Sequence, residues 1–191
     1  AMKYLLVRPK VPAPLDPNFC PFILAKKNYL KWVGGSPHSV EFALERTGGL
    51  AGRERLPVFA DSHPDVDASI HLAGIMIQQV MWERSGFRLL LAGPPKICEA
   101  LKRDYSPGGK YNFEICVMPK ACGTPDVPFE VRIVNVEDLP PNRDQPIVCG
   151  KDANGCRLAF DLGKSDIKTV AVKDNEVVSS KETEWDVTNV D

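Results

Sequence analysis

The stretch that most constrains the fold covers residues 156–180, where apolar runs alternate with turn residues. The first run leads into Asp161 and Gly163, and a second run covers residues 168–172. Asp174-Asn175 then supplies another turn before a third run at 176–180. Short apolar runs separated by Gly, Asp and Asn favour β-strands joined by tight turns. We therefore predict a three-stranded antiparallel meander.

The first turn of this meander carries groups that can bind an anion. Gly163 lacks a Cβ, so its backbone can approach a ligand closely. Successive N–H groups in such a turn form an anion-binding concavity, and Ser165 and Lys168 add a hydroxyl and an ammonium. Asp161 can hold Mg²⁺ beside phosphate, since Mg²⁺ favours one or two carboxylates plus phosphate oxygens. An ordinary hairpin with exposed charges stays open as the alternative, because Asp-x-Gly is a weak motif.

Residues 160–168 resemble the first phosphate loop of the actin-like ATPases, and within them the ROK family (repressors, open reading frames and sugar kinases). That family has Asp-hydrophobic-Gly-Gly-Thr/Ser after an apolar strand, followed by a strand that often carries a lysine. Asp161, Gly163, Ser165 and Lys168 match this pattern. Lys164 stands where the family has a second glycine or a small residue. The similarity covers about residues 157–191.

The resemblance implies a sugar kinase or a sugar-responsive regulator that uses ATP and Mg²⁺. It implies that Asp161, Gly163, Lys164 and Ser165 contact the metal and the phosphates, and that the other partner is a sugar or sugar phosphate. An actin-like ATPase needs two lobes, each of roughly 100–150 residues. The expectation is therefore that this chain is the N-terminal part of a longer protein and does not transfer phosphate by itself.

Composition narrows the class of protein. The hydrophobic fraction of 43% and the charged fraction of 26% are typical of a globular domain. A net charge of −1 makes a nucleic-acid partner unexpected, because such a surface would be basic. The absence of a long apolar run or a signal peptide predicts no membrane partner and a cytoplasmic location. The six cysteines are then expected to be reduced, and their spacing does not favour zinc.

The remainder of the chain predicts an α/β fold: a doubly wound, mostly parallel sheet with helices on both faces, placed before the meander. We expect a proline-rich arm at 1–28, the α/β domain at 29–137, a linker at 138–155 and the meander at 156–191. Strands are predicted at 30–33, 56–60, 87–92, 113–117 and 131–136, and helices after Ser36-Pro37, from about Asp65, and from Gly93-Pro94-Pro95 to about Tyr105.

Two turns of the α/β domain are candidate anion sites. One contains Gly34, Gly35 and Ser36, and the other contains Gly93 and Lys96. Each is predicted to precede a helix, where free N–H groups and the helix dipole favour negative charge. The alternative is that glycine and proline only begin the helices.

Two other functions stay open. The chain can be a non-enzymatic binding or assembly module, with the α/β domain holding an anionic metabolite or a protein partner. In that case an apolar edge of the meander can pair with a second copy of the chain. A nuclease of the RNase H type also begins with a similar aspartate-bearing strand, but its basic groove is missing here.

Overall fold

The computed structural model describes residues 7–144 and 154–185. The chain divides into two compact units, Ala1–Gln145 and Pro146–Asp191. The boundary between them falls inside the segment predicted as a linker. Within the described residues, no helix has both the length and the apolar character needed to span a membrane.

The first unit is a four-stranded mixed sheet with four α-helices. Its elements run α1 (Phe22–Val33), β1 (Ser39–Glu45), β2 (Ala51–Pro57), α2 (Val66–Arg84), β3 (Arg88–Ala92), α3 (Pro95–Asp104), α4 (Asn112–Ala121) and β4 (Glu130–Ile133). The strand order is β2-β1-β3-β4. The predicted α/β class is confirmed, as are the helix α2, the strand β3 and the helix α3.

The prediction of a mostly parallel sheet is wrong. Strand β1 is antiparallel to both neighbours, and only β3 and β4 run parallel. The reason is the short connection at 46–50, where Gly48 and Gly49 both have positive φ. These glycines let the chain turn back directly, so β1 and β2 form a hairpin instead of a crossover.

Three predicted elements have the wrong type. The helix expected after Ser36-Pro37 is strand β1, because its buried side chains alternate at Val40, Phe42 and Leu44 with period two. The strand expected at 30–33 is the last turn of α1, which buries Tyr29 and Val33 four residues apart. The strand expected at 113–117 lies in α4. Helix α1 also begins inside the segment predicted as an irregular arm.

Helices on both faces of the sheet were predicted, but all four α-helices contribute to one core on one face. That core joins β1, β2 and β3 to buried residues of every α-helix. The other face carries a small cluster of Ala43, Leu90 and Ala92, which Leu139 covers. Arg53 holds this covering segment by donating to Leu139 O at 3.2 Å, so the first unit continues past Glu137.

The second unit confirms the predicted meander. Strands β5 (Cys156–Leu162), β6 (Asp166–Lys173) and β7 (Glu176–Glu184) pair antiparallel in that order. Asp174 and Asn175 both have positive φ, as the predicted tight turn requires. The sheet has no buried residue among those described, and Leu158, Phe160 and Leu162 are 71%, 64% and 67% exposed. It is a sheet with apolar side chains in solvent.

Candidate functional site

The turn between β5 and β6 is held closed by bonds within the second unit. The Gly163 N–H donates to Asp166 O at 2.9 Å. Trp185 fixes the opposite side, because its Nε1–H donates to Gly163 O at 2.7 Å and its backbone N–H donates to Ser165 O at 3.0 Å. The turn therefore has a defined shape before any ligand is present.

Glycine at position 163 has a different structural reason than the one predicted. A Cβ at Gly163 would lie 2.9 Å from Asp166 Oδ1 and 3.0 Å from Asp166 O. Gly163 therefore admits a close approach by the chain itself, where the sequence suggested an approach by a ligand. Its N–H group is also bonded to Asp166 O, so only the next residues of the turn offer donors.

The tip of the turn carries those donors. Lys164 and Ser165 are exposed, and within the described residues their backbone N–H groups make no hydrogen bond. Two adjacent free N–H groups, one hydroxyl and one ammonium thus lie together at the tip. Asp161 is exposed at the end of β5 and has no ion pair among the described residues.

Lys168, which was predicted to face a phosphate, is already neutralised. Its Nζ lies 3.5 Å from Asp166 Oδ1 and 3.8 Å from Glu182 Oε1. Asp166, and after it Glu182, raises the pKa of the Lys168 ammonium. Together with Glu184 these carboxylates line a shallow cavity of about 510 Å³ beside Ser165. These carboxylates disfavour an anion on the side of the turn that faces the cavity.

Residues 7–144 and 154–185 contain no group of three or more His, Cys, Asp and Glu side chains that could hold a metal ion. A single carboxylate such as Asp161 can hold Mg²⁺ when phosphate oxygens supply further ligands. Mg²⁺ usually binds in this way together with nucleotides.

The first predicted anion turn of the α/β unit does not precede a helix. Gly34 ends α1, and its N–H donates to Leu30 O at 3.3 Å. Ser36 uses its hydroxyl to donate to Val58 O at 2.6 Å and to accept from His38 N at 3.2 Å. Because strand β1 follows, the helix N-terminus that motivated a site at Gly34, Gly35 and Ser36 is absent.

The second predicted anion turn does precede a helix, but an internal anion occupies it. The backbone N–H of Lys96 in α3 donates to Asp61 Oδ2 at 3.1 Å, and Lys96 Nζ lies 3.5 Å from Asp61 O. Gly93 has φ +145 and packs against the backbone of β1. This helix N-terminus does lie beside a negative charge, and that charge is the carboxylate of Asp61.

Asp61 is a residue whose role the sequence did not reveal. In the sequence Asp61 lies close to Asp65 and Asp67 before α2, where the dipole of that helix alone explains the three carboxylates. One signal for its true partner exists in the sequence: α3 begins with Pro94-Pro95, which offers no capping side chain. Trp185 gave no such signal, since it lies 22 residues from the Gly163 carbonyl that it holds.

Replacing Asp61 with alanine should destabilise the first unit by about 1 kcal/mol, the usual effect of losing a helix cap with its dipole interaction. Glu99 is the control, since it is an exposed carboxylate in the middle of α3. Chemical denaturation of Asp61→Ala and Glu99→Ala measures the difference. Equal midpoints would show that Asp61 does not cap α3.

An arginine-lined cavity of about 460 Å³ lies beside the β1–β2 turn, and two of its three arginines form ion pairs. Arg46 pairs with Asp144 at 3.2 Å, and Arg88 pairs with Glu45 at 2.9 Å and Glu130 at 2.8 Å. These pairs offset only part of the positive charge, since Arg143 also lines the cavity and forms no ion pair with the described residues. The turn at 163–165 is the better candidate site because, besides its lysine, it offers two adjacent backbone N–H groups without a hydrogen bond among the described residues.

Comparisons of this chain with protein-family models, with curated proteins and with solved structures find no match.

Proposed function

We propose that the tip of the β5–β6 turn binds the phosphates of ATP, and that the protein takes part in ATP-dependent sugar phosphorylation or in sugar-responsive regulation of the ROK kind. The observation that carries the proposal is the set of donors at the tip. Lys164 and Ser165 offer two free backbone N–H groups, an ammonium and a hydroxyl on a turn whose shape is fixed by Trp185.

Each residue has a role in this proposal. The two N–H groups and the Ser165 hydroxyl donate to phosphate oxygens, and Lys164 supplies positive charge where the family resemblance has a small residue. Asp161 holds Mg²⁺, which bridges phosphate oxygens and offsets their charge when bound. Lys168 contributes less positive charge than predicted, because it already pairs with Asp166 and Glu182.

We expect weak binding by this chain, with a dissociation constant of about 1 mM or higher, since one exposed turn offers few contacts. Magnesium ATP titrated into ¹⁵N-labelled protein should shift the backbone amide signals of residues 163–166 selectively. Lys164→Ala should weaken binding about threefold, the effect of one exposed charge pair. Lys173→Ala, at the other end of β6, should change nothing.

Two results would overturn the proposal. One is the absence of selective shifts at residues 163–166 at millimolar nucleotide. The other is an equal loss of affinity in Lys164→Ala and Lys173→Ala, which would indicate non-specific attraction of ATP to surface lysines.

A further inference from the structure

Strand β5 is an open edge of the second unit. In the described part of the chain it pairs with β6 alone, so its other side presents unpaired N–H and C=O groups. All seven residues of β5 are exposed. Leu158, Phe160 and Leu162 alternate along it and therefore share one face. An exposed, apolar edge strand of this length is a template for pairing with another strand.

The other edge of the sheet is protected against such pairing. Strand β7 carries four charged side chains in nine residues: Glu176, Lys181, Glu182 and Glu184. Strand β5 carries only Arg157 and Asp161 in seven residues. Charged edge strands are a common device against edge-to-edge association. The chemistry of the two edges thus points to β5 as the side that takes a partner.

The sequence of β5 is complementary to itself. When two copies pair antiparallel about a two-fold axis at Ala159, all seven residues of β5 overlap. Arg157 then lies opposite Asp161 of the other copy, and Asp161 lies opposite Arg157. On the other face of the strand Leu158 lies opposite Phe160. Each charged residue thus faces a residue of opposite charge, and Leu158 faces Phe160. Both kinds of cross-strand pair are stabilising.

Other registers lose this complementarity. A two-fold axis perpendicular to the sheet requires that facing residues belong to the same face, so the register can change only in steps of two residues. A slip of two residues places each charged side chain opposite Ala159 or beyond the strand. A slip of four residues places Arg157 opposite Arg157, or Asp161 opposite Asp161. The register with the fullest overlap is therefore also the one with paired charges.

Strand β7 cannot do the same. Within residues 179–184, Lys181 shares its face with Ser179 and Thr183, whereas Glu182 and Glu184 lie on the opposite face with Ser180. No two-fold pairing of this stretch with itself can therefore bring Lys181 opposite a glutamate.

We propose that β5 is a homodimer interface, in which two copies pair β5 to β5 antiparallel about Ala159 and join their three-stranded sheets into one continuous sheet. The interface is isologous, as two-fold symmetry requires. The inference goes beyond ATP binding at Lys164 and Ser165 and does not depend on it, because the two proposals share only Asp161, the proposed Mg²⁺ ligand.

The experiment measures the mass of the full chain in solution over a range of concentrations, with charge reversals at the interface. The unchanged chain should form a dimer. Arg157→Asp or Asp161→Arg alone should weaken the dimer about tenfold, because each change places two pairs of like charges opposite each other. The double variant Arg157→Asp with Asp161→Arg should restore dimerisation, since opposite charges again meet. Lys181→Glu, on β7, should leave the dimer unchanged.

The register is tested separately with Leu162→Cys. In the proposed pairing the introduced thiol lies opposite the natural Cys156 of the other copy, so a short thiol-to-thiol crosslinker should join these two positions, as identified by peptide mass mapping. A monomer at all concentrations would overturn the proposal, as would a dimer insensitive to Arg157→Asp. A double variant that stays monomeric, or a crosslink that sets other residues opposite each other, would also overturn it. The nucleotide titration is then read on the Arg157→Asp variant, so that either proposal can fail alone.

Discussion

Replacing Gly93 with alanine should destabilise the first unit by roughly 3 kcal/mol or more. Gly93 has φ +145, a conformation that side chains rarely adopt, and a Cβ there would lie 2.7 Å from Ser39 O and 3.0 Å from Val40 Cα. Both atoms are backbone of β1, so neither can rotate away. Backbone strain and overpacking each cost about 1–3 kcal/mol.

Such a loss is a large part of the roughly 5–15 kcal/mol that usually separates folded from unfolded domains. Gly35→Ala is the matched control, because no atom lies within 4 Å of the added Cβ and its φ is not in the strained range. Urea unfolding followed by circular dichroism should give a much lower midpoint for Gly93→Ala and an unchanged one for Gly35→Ala. Equal midpoints would show that β1 can yield to a Cβ at this position.

Gly93 and Gly35 also show what a glycine in a sequence can predict. Both glycines were predicted to admit an anion to a helix N-terminus. In the structure Gly93 admits strand β1 and Gly35 lies in an open loop. A glycine in a sequence signals that something approaches closely or that the backbone turns, but it does not say which neighbour approaches. That information depends on long-range packing.

Elements with a single dominant period could be predicted from the sequence. Helix α2 has apolar residues at helical spacing over 19 residues, and the meander has turn residues between apolar runs. The residues 39–45 satisfy two periods at once, since Val40, Ala43 and Leu44 fit a helix and Val40, Phe42 and Leu44 fit a strand. Pairing with both β2 and β3 decides the strand, and this pairing is not visible locally.

Only part of the candidate site could be predicted, because its local contacts are visible in the sequence and its long-range contacts are not. The donors at Lys164 and Ser165 are neighbours in sequence, so their position at the tip follows from the turn itself. The neutralisation of Lys168 depends in part on Glu182, which is brought close only by the pairing of β6 with β7. The cap of α3 by Asp61 likewise joins residues 35 positions apart. The donors of the turn were therefore predictable from the sequence, whereas the distant residues that pair with Lys168 and cap α3 were not.

Raising the pH from 10 towards 12 should unfold the first unit through its buried tyrosines. The three tyrosines in the described residues, Tyr29, Tyr105 and Tyr111, are at most 4% exposed. Burial disfavours the phenolate and raises the pKa of Tyr29 to about 12 from an ordinary value of 10.0. It raises the pKa of Tyr111 to about 12 as well, and that of Tyr105 further.

Stability decreases with pH because the folded chain binds more protons than the unfolded chain in this range. The unfolded chain releases the phenol protons near pH 10, whereas the folded chain retains them until about pH 12. The contribution of these tyrosines to the free energy of unfolding is therefore fully present below pH 10 and decreases as pH rises through this window. Each tyrosine contributes a slope of up to about 1.4 kcal/mol per pH unit. Three together make this the steepest pH dependence expected of the unit.

Tyrosinate absorbance and circular dichroism should be recorded on the same samples. Of the four tyrosines in the chain, Tyr4 lies outside the described residues, and the other three should ionise only together with loss of secondary structure. Tyr29→Phe provides the comparison. It removes the hydrogen bonds to Pro57 O and Ser69 and so costs stability at pH 7, but it should unfold less steeply above pH 10. Three tyrosines that ionise near pH 10 in a chain with native secondary structure would contradict the buried arrangement from which this prediction follows.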